Sequence, residues 1–256
     1  MKITDTHTHL YMKEFDKDIH IVIQNALNKG IHRFLLPSID TSTIPSILKL
    51  EKKYPNICFP MIGIHPNKVS TNNLEEELNR VEKWLPKHSF ISMGEIGMDF
   101  FSSRKFISEQ EYVFKTQIKW AKKRKLPIVI HCRKAFDQVF HILSKEMNSN
   151  VKGVFHCFSG TLEQAKKIID MGMKLGIGGI ITFKNNHISQ FLHHISLNHL
   201  ILETDSPYLS PHPFRGKRNE PMNLRIILKK ISKIYSTSEN EIADIIQKNV
   251  ENLFFK

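Results

Sequence analysis

The sequence predicts an α/β fold, a (β/α)8 TIM barrel with its active site at the C-terminal ends of the strands. Three observations point there. Short apolar runs alternate with longer amphipathic segments along all 256 residues, and strands joined by crossover helices pair in parallel. Side chains able to bind metals stand where six of the eight apolar runs end, which is where such barrels build their sites. The first strand runs straight into His7-Thr8-His9 without a glycine. The runner-up, a doubly wound sheet, usually carries a Gly-rich phosphate turn at that point.

The elements follow in order. Ile3 opens the first strand, and a helix is expected from Glu14 to Lys29, closed by Gly30. Phe34-Leu35-Leu36 reads as a strand, followed by a helix over Thr43 to Lys53. Ile57 to Ile64 is the third strand and Leu74 to Trp84 its helix. Phe90 to Ile96 is the fourth strand. In the helix expected from Glu109 to Lys125, Val113, Phe114, Ile118 and Ala121 share one face. Pro127 opens the fifth strand, an acceptable place for a residue with no N–H, and a helix is expected from Phe136 to Met147. Val151 to Phe155 is the sixth strand. Thr161-Leu162-Glu163-Gln164 is a capping box that starts the next helix. Met173 to Ile177, a short helix near Ile188 to His194, and Leu200 to Leu202 complete the strands. Helices over Met222 to Ile234 and Glu239 to Phe254 close the chain.

Composition bounds the function. The length suffices for a full core without disulfides, and the whole chain, 1–256, is read as one domain. With 41% hydrophobic and 24% charged residues the chain is neither disordered nor fibrous. No apolar run approaches the ~20 residues that span a bilayer, and the first residues carry no apolar signal segment. Three scattered cysteines, Cys58, Cys132 and Cys157, form no disulfide framework, so a cytoplasmic location is expected. The net charge of +12 comes from 29 Lys and 8 Arg against 25 acidic residues. Lys is a solvated point charge, so most of this excess reads as diffuse surface. Lys122-Lys123-Arg124-Lys125 reads as a helix C-terminus on the face opposite the site.

The chemistry lies at the strand ends. Alternate strand residues share a face, so His7 and His9 can both project into the barrel mouth. With His131, His156 and the carboxylates Glu95 and Asp205, they form a set that suits Zn, Mn, Fe or Co better than Mg alone. Six ligands exceed one tetrahedral zinc. Two metals sharing a carboxylate is the economical arrangement, and it implies hydrolysis of a phosphoester, ester or amide.

Seven segments occur in the order seen in the TatD family of metal-dependent hydrolases. They are Asp5-Thr6-His7-Thr8-His9-Leu10, Gly63-Ile64-His65-Pro66, Gly94-Glu95-Ile96-Gly97-Met98-Asp99, Ile130-His131, His156-Cys157-Phe158-Ser159-Gly160, Glu203-Thr204-Asp205-Ser206-Pro207-Tyr208-Leu209 and Arg215-Gly216-Lys217-Arg218-Asn219-Glu220-Pro221. The chain resembles that family over essentially its whole length. The resemblance implies two divalent metal cations (Mg, Mn, Zn or Co). His7, His9 and Asp205 would bind the first, His131 and His156 the second, with Glu95 bridging and Asp205 also holding or deprotonating the attacking water. It implies a nuclease acting on DNA, sometimes RNA, with nucleic acid as substrate partner. A D-aminoacyl-tRNA deacylase is the alternative. No membrane and no obligate protein partner are expected. Phe100-Phe101 stands where relatives often have tyrosines, and Cys132 and Lys134 replace a more usual hydroxyl residue and an Asp.

Around the ligands, His65 is expected either to touch substrate or to orient ligands. Asp99 and Glu203 are expected to hold ligands in place. Arg133, Lys184, Arg215, Lys217 and Arg218 are candidate phosphate contacts near the mouth. Cys132 and Cys157 are expected to face away into the core.

Overall fold

The computed structural model describes residues 2–72, 74–102, 104–146 and 151–255. Eight strands alternate with helices: β1 (Ile3–Asp5), α1 (Ile19–Asn28), β2 (Ile31–Leu36), α2 (Ile44–Lys53), β3 (Cys58–Pro60), α3 (Leu74–Trp84), β4 (Met93–Asp99), α4 (Ile107–Arg124), β5 (Ile128–Arg133), α5 (Phe136–Glu146), β6 (Gly153–Phe155), α6 (Leu162–Asp170), β7 (Lys174–Ile177), α7 (Ile188–Phe191), β8 (Leu200–Leu202), α8 (Leu224–Tyr235) and α9 (Glu239–Phe254). All strand pairs are parallel. The fold is the expected (β/α)8 barrel.

The strand ladder is not continuous around the barrel. β1-β2-β3 form one sheet and β4 to β8 another. Isolated parallel bridges join them at both seams, Thr8 with Ser206 and Ile62 with Met93. Backbone hydrogen bonds reinforce each seam. Thr6 N–H donates to Leu202 O (3.1 Å), Asp205 N–H to His7 O (2.9 Å) and His9 N–H to Ser206 O (2.7 Å); across the other seam Gly94 N–H donates to Ile62 O (2.8 Å). The buried Asp5 carboxylate locks the first seam by accepting from Thr204 N–H (2.9 Å) and the Thr204 hydroxyl (2.5 Å).

Strand period two divides the barrel interior by height. Leu35, Val129, Val154 and Ile201 fill its lower layer, packed on Val250, Leu253 and Phe254 of α9. Two residues further along the same strands stand His131, His156 and Glu203, above that apolar layer. Helix α9 is fastened beneath by Thr4 to Gln247 (3.1 Å), Arg33 to Glu251 (2.6 Å) and Asn249 to the carbonyls of Leu197 and Leu200 (2.8 Å each). Ile3, Phe34, Leu36, Ile96, Ile130 and Leu202 pack with helix residues in a larger apolar cluster.

Several boundaries shift. The first helix begins at Ile19 rather than Glu14, because Lys13–Phe15 forms a 3-10 turn that buries Phe15. The third strand is only Cys58–Pro60, since proline offers no ladder donor. The fourth strand runs three residues later than expected; Phe90 belongs to the approach, and Met98 and Asp99 pair with Cys132 and Arg133. The short helix near 188–194 is α7 followed by a 3-10 turn at Leu192–His194. Helix α5 ends at Glu146; Met147 lies outside the described residues. The Thr161 capping box forms with both of its hydrogen bonds. Lys125 closes α4 and lines a hollow with Phe90, Leu253 and Phe254, which puts the basic run beneath the barrel.

Candidate metal centre

Glu95, in β4, is the hub of the barrel mouth. Its Oε2 lies 3.2 Å from His7 Nε2 and 3.8 Å from His9 Nε2. Its Oε1 lies 2.7 Å from His131 Nδ1, 2.8 Å from His156 Nε2 and 3.4 Å from His65 Nε2. Asp205 Oδ1 faces the first group, 3.4 Å from His9 Nε2 and 3.7 Å from His7 Nε2. The six residues expected as ligands are thus brought together, and His65 joins them. Three overlapping sets have ligand atoms within 4.8 Å of one another: His7, His9 and Glu95; His7, His156 and Asp205; His65, Glu95 and His131.

Neighbouring groups fix the orientation of these rings. Asp99 Oδ2 lies 2.9 Å from His131 Nε2, which leaves Nδ1 facing Glu95. Glu203 Oε1 lies 3.4 Å from His156 Nδ1 and also accepts the Cys157 N–H. Tyr11 donates its hydroxyl to Pro37 O (2.8 Å), so it accepts from His9 Nδ1 (2.8 Å). The His9 Nε2 lone pair is then directed at the two carboxylates. His65 differs: its Nδ1 accepts the Asn67 N–H (3.0 Å), so the neutral ring carries its proton on Nε2, pointing at Glu95. It is placed as a donor rather than a ligand.

Glycine is required beside the cluster. Gly97 has φ +140° and pairs with His131; a Cβ there would meet His131 O at 2.0 Å.

Charge and burial compete in this space. Burial raises the Glu95 carboxyl, but the charges of His156, His65 and His7 and the His131 hydrogen bond outweigh it and hold it well below its ordinary value. Burial likewise raises Asp205, and the His9 hydrogen bond with the charges of His156 and His7 brings it below its ordinary value. Burial lowers His7 and His65. Burial also lowers His156, but Glu95 and Glu203 carry it well above its ordinary value. His7 Nδ1, His156 Nδ1 and Glu203 Oε2 are buried without a hydrogen-bond partner. An imidazole-rich donor set around two ionised carboxylates fits divalent metals of the Zn, Mn or Co kind.

Two cavities open onto the cluster. One of about 350 Å³ is lined by Cys132, Arg133, Cys157, Tyr208 and Asp205, and one of about 270 Å³ by His9, His65, Lys68 and Asp205. Asp205 is the more open of the two cluster carboxylates, 13% exposed against 3% for Glu95.

Other expectations divide. Arg133 stands at the mouth. Lys184 and Lys217 are exposed, and Arg215 lies 3.8 Å over the Phe183 ring; neither cavity is lined by these three. Arg218 is paired with Asp18 (2.7 Å) and Glu220 (2.8 Å). The cysteine expectation is corrected. Cys157 has φ +48°, which breaks strand alternation and turns it to the cavity wall beside Asp205. Cys132 lines the same cavity while also packing on the core. Burial pushes the Cys132 thiol up to about 12 and Cys157 well above its ordinary value. Tyr11 was missed; its place two residues after His9 was the available signal.

A family model described as "TatD related DNase" matches residues 4–255. The chain belongs to the TatD family. Among relatives, a Bacillus subtilis (strain 168) protein described as an uncharacterized metal-dependent hydrolase, YabD, is 35% identical over 251 residues, 98% of both chains. A Rahnella sp. (strain Y9602) protein named 3'-5' ssDNA/RNA exonuclease TatD is 29% identical over 252 residues, covering 96% of this chain and 95% of that one. Among solved structures, YjjV of Escherichia coli K12, a TatD homologue, matches with a TM-score of 0.91 at 26% identity, over 99% of this chain and 98% of that one. The TatD fold therefore extends across the described chain. Among the described residues no helix is long and apolar enough to cross a membrane.

Proposed function

We propose that this TatD-family metal-dependent hydrolase cuts phosphodiester bonds in DNA or RNA with two divalent cations. The observation that carries the reading is the division of imidazoles between the two oxygens of Glu95, His7 and His9 at one, His131 and His156 at the other. His7, His9 and Asp205 would hold one cation and His131 and His156 the other, with Glu95 between them. Such cations acidify water and offset charge developing on phosphate oxygens.

The chain's own groups do the rest. Asp205, kept ionised by its imidazole neighbours and facing both cavities, takes the proton of the attacking water. Asp99 and Glu203 hold His131 and His156 in the ring positions that face Glu95. The His65 Nε2–H faces Glu95 and helps to hold that carboxylate in place, and Arg133 meets the charge of the bound phosphate at the rim. Arg215 and Lys184 are proposed as more distant contacts to a longer strand. The relative named as a 3'-5' ssDNA/RNA exonuclease supports this substrate class. We place the activity in the cytoplasm, where the three free cysteines stay reduced.

The test is degradation of single-stranded DNA and RNA by the purified protein with Mg, Mn, Zn or Co, beside Glu95→Gln and Asp205→Asn. Metal-dependent cutting lost in both variants is expected. Release of the amino acid from aminoacyl-tRNA with the polynucleotide left intact would replace this reading with a deacylase.

A further inference from the structure

Beside His156 a third cavity, of about 500 Å³, opens between the ends of β4, β5 and β6. It shares Cys132, Arg133, His156 and Ser159 with the cavity that contains Asp205. The two form one groove that ends on the metal-ligand cluster. Its volume falls in the range of about 300–1,000 Å³ typical of small-ligand sites.

Three observations say what the groove takes. Phe101, at its rim, is 54% exposed. The Arg133 guanidinium lies 3.7 Å from the centre of that ring and the Lys134 ammonium 4.9 Å. Among the described residues neither cation pairs with a carboxylate, although Asp137 lines the same cavity. Arg33, Arg80, Arg218 and Arg225 each have an acidic partner, whereas Arg104 and Arg215, like Arg133, lie over aromatic rings. The ring is also held in register with the cluster. Asp99 Oδ1 accepts the Phe101 N–H (2.8 Å) and the Ser102 N–H (2.9 Å), while its Oδ2 holds His131. One carboxylate thus positions both a proposed ligand and the aromatic rim. The inner wall carries the rings of Phe136, Phe155 and Phe158, with Asp137, Ser159 and Gln164 as polar groups among them.

An exposed aromatic, two cations without acids and an aromatic chamber match a nucleotide with its base unstacked. We infer that this groove is a subsite for the nucleotide next to the bond being cut. It seats a base between Phe101 and the Phe136–Phe158 wall and grips a backbone phosphate with Arg133 and Lys134. The inference rests on the nuclease reading and deepens it. A base inside a duplex cannot enter the chamber, so the subsite selects single strands.

The test measures fluorescence anisotropy of a short, fluorescein-labelled oligothymidylate with phosphorothioate links, which slow cutting, on the metal-loaded full-length protein. Stacking on one aromatic predicts that Phe101→Ala weakens binding roughly tenfold and that Phe101→Trp restores it. Arg133→Gln and Lys134→Gln are each expected to reduce the slope of log affinity against log salt by about 0.7. Wild-type affinity and salt slope in all three weakening variants, with oligonucleotides still cut by the parent protein, would overturn the subsite and leave the nuclease reading standing. A parent protein that neither binds nor cuts any strand removes both.

Discussion

The two ends of the barrel bury polar groups in opposite ways. At the floor the polar contacts of α9 close on partners: Thr4 on Gln247, the part-exposed Arg33 on Glu251, Asn249 on two carbonyls. At the mouth imidazoles face one another. The His7 and His156 rings stack at 3.9 Å, and each keeps an orphaned nitrogen. A floor of closed contacts beneath an apolar layer is built for stability, whereas a crowd of imidazoles around one carboxylate is built to receive positive charge. The two ends therefore answer differently to substitution.

The largest expected effect is at the mouth. Glu95→Gln removes the central charge and should lower metal-dependent hydrolysis by roughly a thousandfold, several kcal/mol of lost charge stabilisation. Steady-state rates measure it, and a variant with full activity would show that the hub is not catalytic. At the floor, Ile201→Ala opens a hole in a fully buried position and should cost about 2–5 kcal/mol of stability. Denaturant unfolding reads that cost, while metal affinity by calorimetry should stay at the parent value. A matched loss of affinity would mean that the two ends are not separable. Asp99→Asn tests the support of a ligand and should weaken metal binding by about 10–100-fold with a small change in melting temperature.

The smallest effect is at the rim. Asp18 lies below its ordinary value because of its hydrogen bonds to Arg218. A carboxyl depressed in the fold contributes stability above its unfolded pKa of about 3.9 and loses it as pH falls through the folded value. The parent should lose slightly more stability on acidification than Arg218→Ala. The pair is half-exposed, so the difference in melting temperature is small.

Much of this was legible because local periodicity carries it. Helices α3 and α9 match their expected ranges to the residue. The proposed ligands other than Glu95 follow from reading what stands towards the strand ends; Glu95 is the third residue of β4. What escaped depends on backbone or distance. A left-handed φ at Cys157 turned a thiol expected in the core towards the cavity. Arg218 found Asp18 across 200 positions, a pairing no local pattern announces. The fourth strand slipped by three residues because Phe90 is as apolar as the strand it precedes.

The seam between β1 and β8 has a consequence for how the molecule breathes. A bridge, a few backbone bonds, the Thr6 hydroxyl bond to Leu202 O and the Asp5 clamp close it, with His7 and His9 on one side and Asp205 on the other. Any ion shared across it acts as a rivet, and its binding energy adds to the local cost of opening. The amides of Thr6, His9 and Asp205 should then exchange hydrogen for deuterium more slowly as metal is titrated, while those of α9 keep their rate. In such a barrel the substrate's catalyst doubles as the last stave's fastening.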